Sequence, residues 1–241
     1  MAAKLALLDA SVGETPARRN FRRAFEAEVT AFEASEGELP AVSAVDGFAG
    51  WPYDGVVISG SQTSVYWDEP WIADVRGWVA DAVERGVPVL GVCWGHQLLA
   101  TATGGTVADA GAYELGYREI DRVADAPIFE GVPERFVAFE SHSDDVTGLP
   151  EGATLLAEND RAIQSFRVRN AFGVQFHPEY DRETAAWVTE NKRGELADER
   201  VEELLATVTE SRHAETEPAK RVFANFERFA AEASLRAPAD G

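Results

Sequence analysis

Gly91-Val92-Cys93-Trp94-Gly95-His96-Gln97 is the stretch on which the reading of the whole chain turns. Before it, Val87-Pro88-Val89-Leu90 predicts a short buried strand. After it, Leu98-Leu99-Ala100-Thr101-Ala102-Thr103 predicts one helical stretch, closed by Gly104-Gly105. A strand, a G-x-C-x-G turn and a helix form the cysteine version of a nucleophile elbow. Glycines at 91 and 95 let the strand reverse sharply and lift the Cys93 side chain out of the sheet. The sulfur then sits near a helix N-terminus, whose unpaired N–H groups and positive dipole end favour a thiolate. Cys93 is the one cysteine of the chain, which excludes an internal disulfide and a cysteine-rich zinc site. Many lone cysteines are simply small buried hydrophobes; the flanking glycines point here to a nucleophile. Its base is offered by Val174-Gln175-Phe176-His177-Pro178-Glu179.

Around this stretch the sequence alternates in the manner of an α/β protein. Lys4-Leu5-Ala6-Leu7-Leu8-Asp9 predicts a first buried strand, followed by a helix over residues 16–34. In that helix Phe21, Phe25, Val29 and Phe32 recur at helical spacing, with Arg18, Arg19, Arg22 and Arg23 on a solvated face. Strands are expected over residues 39–45 and 54–59. Residues 60–69, rich in small polar residues and lacking period, form a loop at a strand's carboxyl end, where open α/β sheets place their ligands. A helix over 70–85 leads to the elbow strand, giving a doubly wound, mostly parallel sheet. From 106 to about 168, short strand candidates between Gly and Pro turns predict a mixed or antiparallel extension. Residues 162–166 and 171–176 have the spacing of a hairpin whose second arm delivers His177. The stretch 182–233 is helical and acidic, with Val222, Phe223, Phe226 and Phe229 as its clearest apolar face.

The 241 residues, 45% hydrophobic, suffice for one large domain or for a domain with a helical appendage. No apolar run approaches a membrane span, and the N-terminus lacks the pattern of a secretory signal, so a cytoplasmic protein with a reduced cysteine is expected. The formal net charge is −20, with lysine only at Lys4, Lys192 and Lys220. Such a surface repels nucleic acid and anionic membranes and excludes both as partners. The acids are spread along the chain rather than gathered in a tail, which points to a halophilic surface adapted to concentrated salt.

His177 and Glu179 stand two apart at a strand end, so their side chains point the same way, with Pro178 stiffening the turn. A carboxylate beside an imidazole fixes its tautomer and supports its cation, the logic of nucleophile, base and orienter. Together the two motifs resemble those of the class I, or triad, glutamine amidotransferases: G-x-C-x-G-x-Q at residues 91–97 and H-P-E at 177–179. The resemblance covers roughly the first three quarters of the chain. It implies an amidotransferase domain at 1–190 and an acidic helical extension at 191–241 packed on it.

By that resemblance Cys93 attacks the side-chain amide of glutamine to give a γ-glutamyl thioester and ammonia. His177 would carry the proton and Glu179 would orient His177. The oxyanion would be held by N–H groups of Trp94 and of the Gly60-Ser61 turn. Gln97 would help to hold the substrate, and the Ser141-His142-Ser143-Asp144 segment would clamp its α-amino and α-carboxylate groups. His142 lacks a Pro-Glu follow-on and is the poorer candidate for the base; His96 and His213 have no partner that argues for chemistry. No cofactor and no metal are implied.

Gly60-Ser61-Gln62 departs from the G-G-P of many synthetase-linked members and resembles stand-alone, guanylate-synthase-like ones. No synthetase segment follows within these residues, so an ammonia acceptor would be a separate synthase. Two further readings stand beside the glutaminase: a γ-glutamyl peptidase using the same thioester, and a non-enzymatic regulator on the same scaffold.

Overall fold

In a computed structural model, which describes residues 3–42 and 50–236, nine strands form one sheet in the order β2-β1-β3-β4-β9-β8-β7-β5-β6. β1 (Lys4–Asp9), β2 (Glu28–Glu33), β3 (Gly55–Ile58), β4 (Val89–Val92) and β9 (Ala171–Val174) run parallel. β5 (Thr106–Arg122), β6 (Arg135–Gly148), β7 (Thr154–Glu158) and β8 (Ile163–Val168) continue it in antiparallel fashion. The parallel half with its antiparallel extension is the architecture the sequence predicts.

β1, β3, β4 and β9 are buried on both faces, while the edge strand β2 is only partly covered. On one face Leu5, Leu7, Val57 and Leu90 pack against Phe21 of α1 (Ala17–Ala24) and against Val222, Phe223 and Phe226 of α7 (Glu217–Arg236). On the other, Leu8, Val56, Ile58 and Val89 meet α2 (Pro70–Glu84) and α3 (Trp94–Ala102). Pro70 opens α2, where its missing N–H costs nothing. Ile72, Val75 and Val79 recur on its buried side. Burying each large aliphatic or phenyl side chain contributes about 1.5–3 kcal/mol, which is why apolar runs rather than alternation mark these strands. α4 (Arg182–Glu190) and α5 (Asp198–Thr207) cover the antiparallel extension through Ala185, Val188 and Leu204 against Leu115, Tyr117 and Phe139. A short α6 (Glu210–Ala214) precedes α7. Among the described residues no helix is long and apolar enough to cross a membrane.

Two local expectations are corrected. The helix expected over 16–34 stops at Ala24, and residues 28–33 form the edge strand β2, in register with β1 from Lys4↔Glu28 to Asp9↔Glu33. The apolar spacing that mimics a helix there serves two faces of a sheet: Val29 packs with the α7 side, Phe32 with the α2 side. Because β2 fills the place beside β1, no strand forms at residues 39–42; the rest of the strand expected over 39–45 lies outside the described residues. The arginines of α1 are not simply solvated. Arg18 pairs with Asp9 and Glu33, and Arg23 with Asp181.

Candidate active site

The elbow forms where β4 ends. Cys93 has φ 53° and ψ −108°, a conformation that costs a non-glycine residue about 1–3 kcal/mol and must be held by its surroundings. What holds it is close packing that admits no side chain on either flank. A Cβ at Gly91 would stand 2.2 Å from the Gly95 carbonyl oxygen, and one at Gly95 2.5 Å from that of Ile58. The Cys93 N–H donates to Val174 O at 2.8 Å, tying the elbow to β9. Trp94 opens α3, so its N–H has no acceptor within the helix.

β9 lies beside β4 with Gly91↔Gly173 and Val92↔Val174 in register, so its continuation brings His177 to the elbow. His177 N–H donates to Phe139 O at 2.9 Å, and its Nδ1 lies 2.7 Å from Glu179 Oε1. Both side chains are buried. Burial alone would discharge the His177 ring. The Glu179 carboxylate, hydrogen-bonded to the ring, and the negative Cys93 sulfur outweigh it and hold the imidazolium well above its ordinary range. The remaining nitrogen, Nε2, is buried with no hydrogen-bond partner among the described residues and is the one left to serve Cys93. Gly60 closes this pair from the β3 side: a Cβ there would meet His177 Cε1 at 3.3 Å and Cys93 Sγ at 3.9 Å.

The structure gathers the other expected residues around one cavity of about 370 Å³ in front of Cys93, with Gly60, Ser61, Trp94, Gln97 and Ser141 in its wall. Cys93 Sγ lies 3.7 Å from Ser141 O. Gln97 Nε2 donates to Asp144 O at 2.8 Å and to Gln175 Oε1 at 3.0 Å, so this amide fastens β6 behind the cavity. His142 borders the cavity, but its ring is turned into a buried acidic cluster: Nε2 lies 3.1 Å from Glu114 and 3.4 Å from Glu140, and Nδ1 3.1 Å from Asp145. Against the cost of burial these carboxylates raise the pKa of His142 well above its ordinary value. It is thus a charged anchor of β6 rather than a competing base. Burial pushes His96 down to about 3, leaving it a neutral core ring against Phe166.

Tyr180, Arg23, Ser64 and Trp187 were not foreseen as participants, whereas Tyr66 and Trp67 were expected to flank the pocket. Tyr180 stacks flat on His177, with centroids 4.0 Å apart and planes at 14°. Its place directly after H-P-E was the available signal. Arg23 donates to Glu179 O at 2.9 Å, bracing the triad turn from α1. Ser64 and Tyr66 of the 60–69 loop donate to Asp144 at 2.5 and 3.0 Å and latch that loop to β6. Trp67, half exposed, and Trp187 of α4 stand at the rim.

The family model for class I glutamine amidotransferases matches residues 8–191, about three quarters of the chain. The chain belongs to that family. A glutamine-hydrolysing GMP synthase of Thermomicrobium roseum is 44% identical over 126 residues, 52% of this chain and 23% of that protein. The chain thus spans about a quarter of the length of such curated relatives. Gamma-glutamyl peptidase 5 of Arabidopsis thaliana is 35% identical over 160 residues, 63% of this chain and 62% of the relative. Among solved structures, a glutamine amidotransferase of Thermotoga maritima superposes with a TM-score of 0.75 at 22% identity, covering 95% of this chain and 99% of that one. At that identity the likeness speaks for the amidotransferase fold.

Proposed function

We propose that this amidotransferase hydrolyses the side-chain amide of glutamine through a thioester on Cys93 and hands the ammonia to a synthase on another polypeptide. The observation that carries this reading is the buried Glu179–His177 pair at 2.7 Å, set against a cysteine held in a strained elbow. Cys93 Sγ attacks the amide carbon while the new oxyanion takes hydrogen bonds from the N–H groups of Trp94 and the Gly60-Ser61 turn. His177 Nε2 then gives its proton to the departing nitrogen, so the C–N bond breaks as ammonia leaves. Water adds to the thioester with His177 as base, expelling the Cys93 thiolate, releasing glutamate and restoring the thiolate–imidazolium pair. Relatives named as glutamine-hydrolysing GMP synthases support a synthase as the partner, and we place the reaction in the cytoplasm. We take residues 1–190 as the amidotransferase domain and 191–241 as its helical extension. A γ-glutamyl peptidase is the second reading, favoured by the rim aromatics Trp67 and Trp187 and by the plant relative.

The deciding experiment measures ammonia and glutamate from glutamine beside amine release from γ-glutamyl dipeptides, with and without a candidate synthase. Glutamine turnover that exceeds every dipeptide and rises when the synthase is added supports the proposal. A clear preference for dipeptides overturns it in favour of the peptidase.

The pH profile gives a further expected result. In a thiolate–imidazolium enzyme the alkaline limb of kcat/KM follows loss of the His177 proton. Glu179→Gln removes the negative neighbour that stabilises the imidazolium, so the pKa of His177 falls. The limb should move down by about one to three pH units. A limb that stays in place assigns the raised His177 to some other group.

A further inference from the structure

The residue directly after H-P-E is Tyr180, which borders the cavity and whose neighbours on both sides are tied to one arginine. Arg23 of α1 donates to Glu179 O and pairs with Asp181, and Asp181 caps α4 by accepting the Thr184 N–H at 2.7 Å. The main chain on either side of Tyr180 is therefore fastened. Its ring lies flat on the His177 imidazole, with centroids 4.0 Å apart and planes at 14°, and meets Phe139 of β6 at 5.9 Å on a tilt of 49°. Phe139 is itself buried, packed edge-on against Tyr117 of β5 at 5.1 Å, and its carbonyl accepts the His177 N–H. Backbone and ring of His177 thus rest on the same aromatic support.

The Glu179 hydrogen bond alone does not fix the imidazole. A single bond to Nδ1 sets one atom of the ring and leaves the plane free to rock about it. Nε2 has no hydrogen-bond partner among the described residues, and a Cβ at Gly60 would only crowd the Cε1 edge at 3.3 Å. The stacked ring supplies the missing restraint, since flat contact at this distance leaves little room to tilt. It also presents an electron-rich π face to a ring that carries positive charge, an attraction that strengthens where water is excluded. Against the burial that opposes it, that charge is supported from several elements: Glu179 on the same turn, Cys93 from the elbow and Glu140 from β6. The guanidinium of Arg23 is committed to the Glu179 carbonyl and to Asp181. Burial first, then Glu179, Cys93 and Tyr113, push the Tyr180 hydroxyl well above its ordinary range, so the ring meets His177 as a neutral phenol.

We infer that Tyr180 is a positioning residue of the triad: its ring fixes the plane of the His177 imidazole, and its π face holds the imidazolium with the Nε2 proton aimed at the departing amide nitrogen. The role deepens the glutaminase reading and rests on it for the identity of the leaving group. Tyr180 acts through His177 in both halves of the reaction. In the first it keeps the proton donor charged and aligned. In the second it stabilises the charge that forms as the ring takes a proton from water.

The test compares the parent protein with Tyr180→Phe and Tyr180→Leu. With glutamine, Tyr180→Leu is expected to lower kcat about tenfold with KM within about twofold, and to move the alkaline limb of kcat/KM down by about one pH unit. Tyr180→Phe keeps the aromatic face and should restore the limb and most of the turnover. A lower melting temperature with the limb unmoved would make the ring merely structural and overturn the inference. A second measurement needs no turnover: the NMR titration of the His177 ring in Cys93→Ala protein, assigned by its disappearance on His177→Ala. Its midpoint should fall by about one unit with Tyr180→Leu, and stepwise when mono-, di- and trifluorophenylalanine at position 180 drain the π face and keep its shape. The fluorinated series preserves the packing, so it decides the matter even if Tyr180→Leu fails to fold. An unmoved midpoint across that series overturns the inference. So does Tyr180→Phe behaving like Tyr180→Leu, which would assign the effect to the hydroxyl. A rise in KM alone also overturns it, leaving the ring as a wall of the substrate pocket. If the parent protein turns over no glutamine, the proposed function falls, while the titration still upholds or removes the role of the stack.

Discussion

Cys93→Ala is expected to lower glutamine turnover by on the order of 10⁴-fold or more, since a covalent mechanism has no substitute for its nucleophile. The fold should survive. Cys93 is a small residue in the wall of an open cavity, and the positive φ at this position is imposed by the neighbouring glycines whatever the side chain. His177→Ala should cost a similar factor and Glu179→Ala less, because an orienting group is partly dispensable. Melting curves within a few degrees of the parent would confirm that the loss is chemical. Parent-like turnover by the Cys93→Ala protein would remove the thioester from the mechanism.

Gly91→Ala is expected to damage the fold itself. The added methyl would come within 2.2 Å of the Gly95 carbonyl oxygen and 2.8 Å of the His96 nitrogen, backbone atoms that cannot step aside without opening the elbow. Overpacking of this kind costs about 3 kcal/mol or more, a fall in melting temperature of roughly 6–12 °C for a chain of this size. Gly77→Ala is the matched control: it lies in α2, no atom stands within 4 Å of the new methyl, and helix propensity predicts a gain of up to about 1 kcal/mol. Equal melting temperatures for the two variants would show that the elbow is looser than its packing implies.

The features legible in the sequence are those that a few adjacent residues encode. The elbow needs two glycines around one cysteine, and H-P-E carries its own stiffener and orienter. The β8–β9 hairpin announces itself by two apolar runs with a polar turn between them. The junction of α1 and β2 was not legible, since residues 21, 25, 29 and 32 satisfy a helical period while the structure uses Val29 and Phe32 on opposite faces of a strand. Pairing with β1 outweighs that period, and pairing is a non-local fact. The long β5–β6 hairpin was visible only as fragments, because a register shift between Asp109 and Glu114 interrupts its pattern. The acidic cage of His142 draws on Glu114, Glu140 and Asp145, and Lys192 beyond α4 meets the ring of Tyr113 in β5. Such juxtapositions exist only once the sheet has closed.

The nucleophile and its base leave the ends of two neighbouring strands that are hydrogen-bonded in register, Gly91 beside Gly173 and Val92 beside Val174. Their separation is thus fixed by main-chain geometry, which side-chain replacement elsewhere scarcely disturbs. The walls that face the ligand come from other places, the loop after β3 and the end of α4. Apart from the Gly60-Ser61 turn, reactivity and selectivity therefore draw on different elements of this chain. Mutation can rewrite what enters the cavity, one rim residue at a time, while the apparatus that cuts the amide keeps its alignment, so new specificities are accessible by gradual steps without passing through an inactive intermediate.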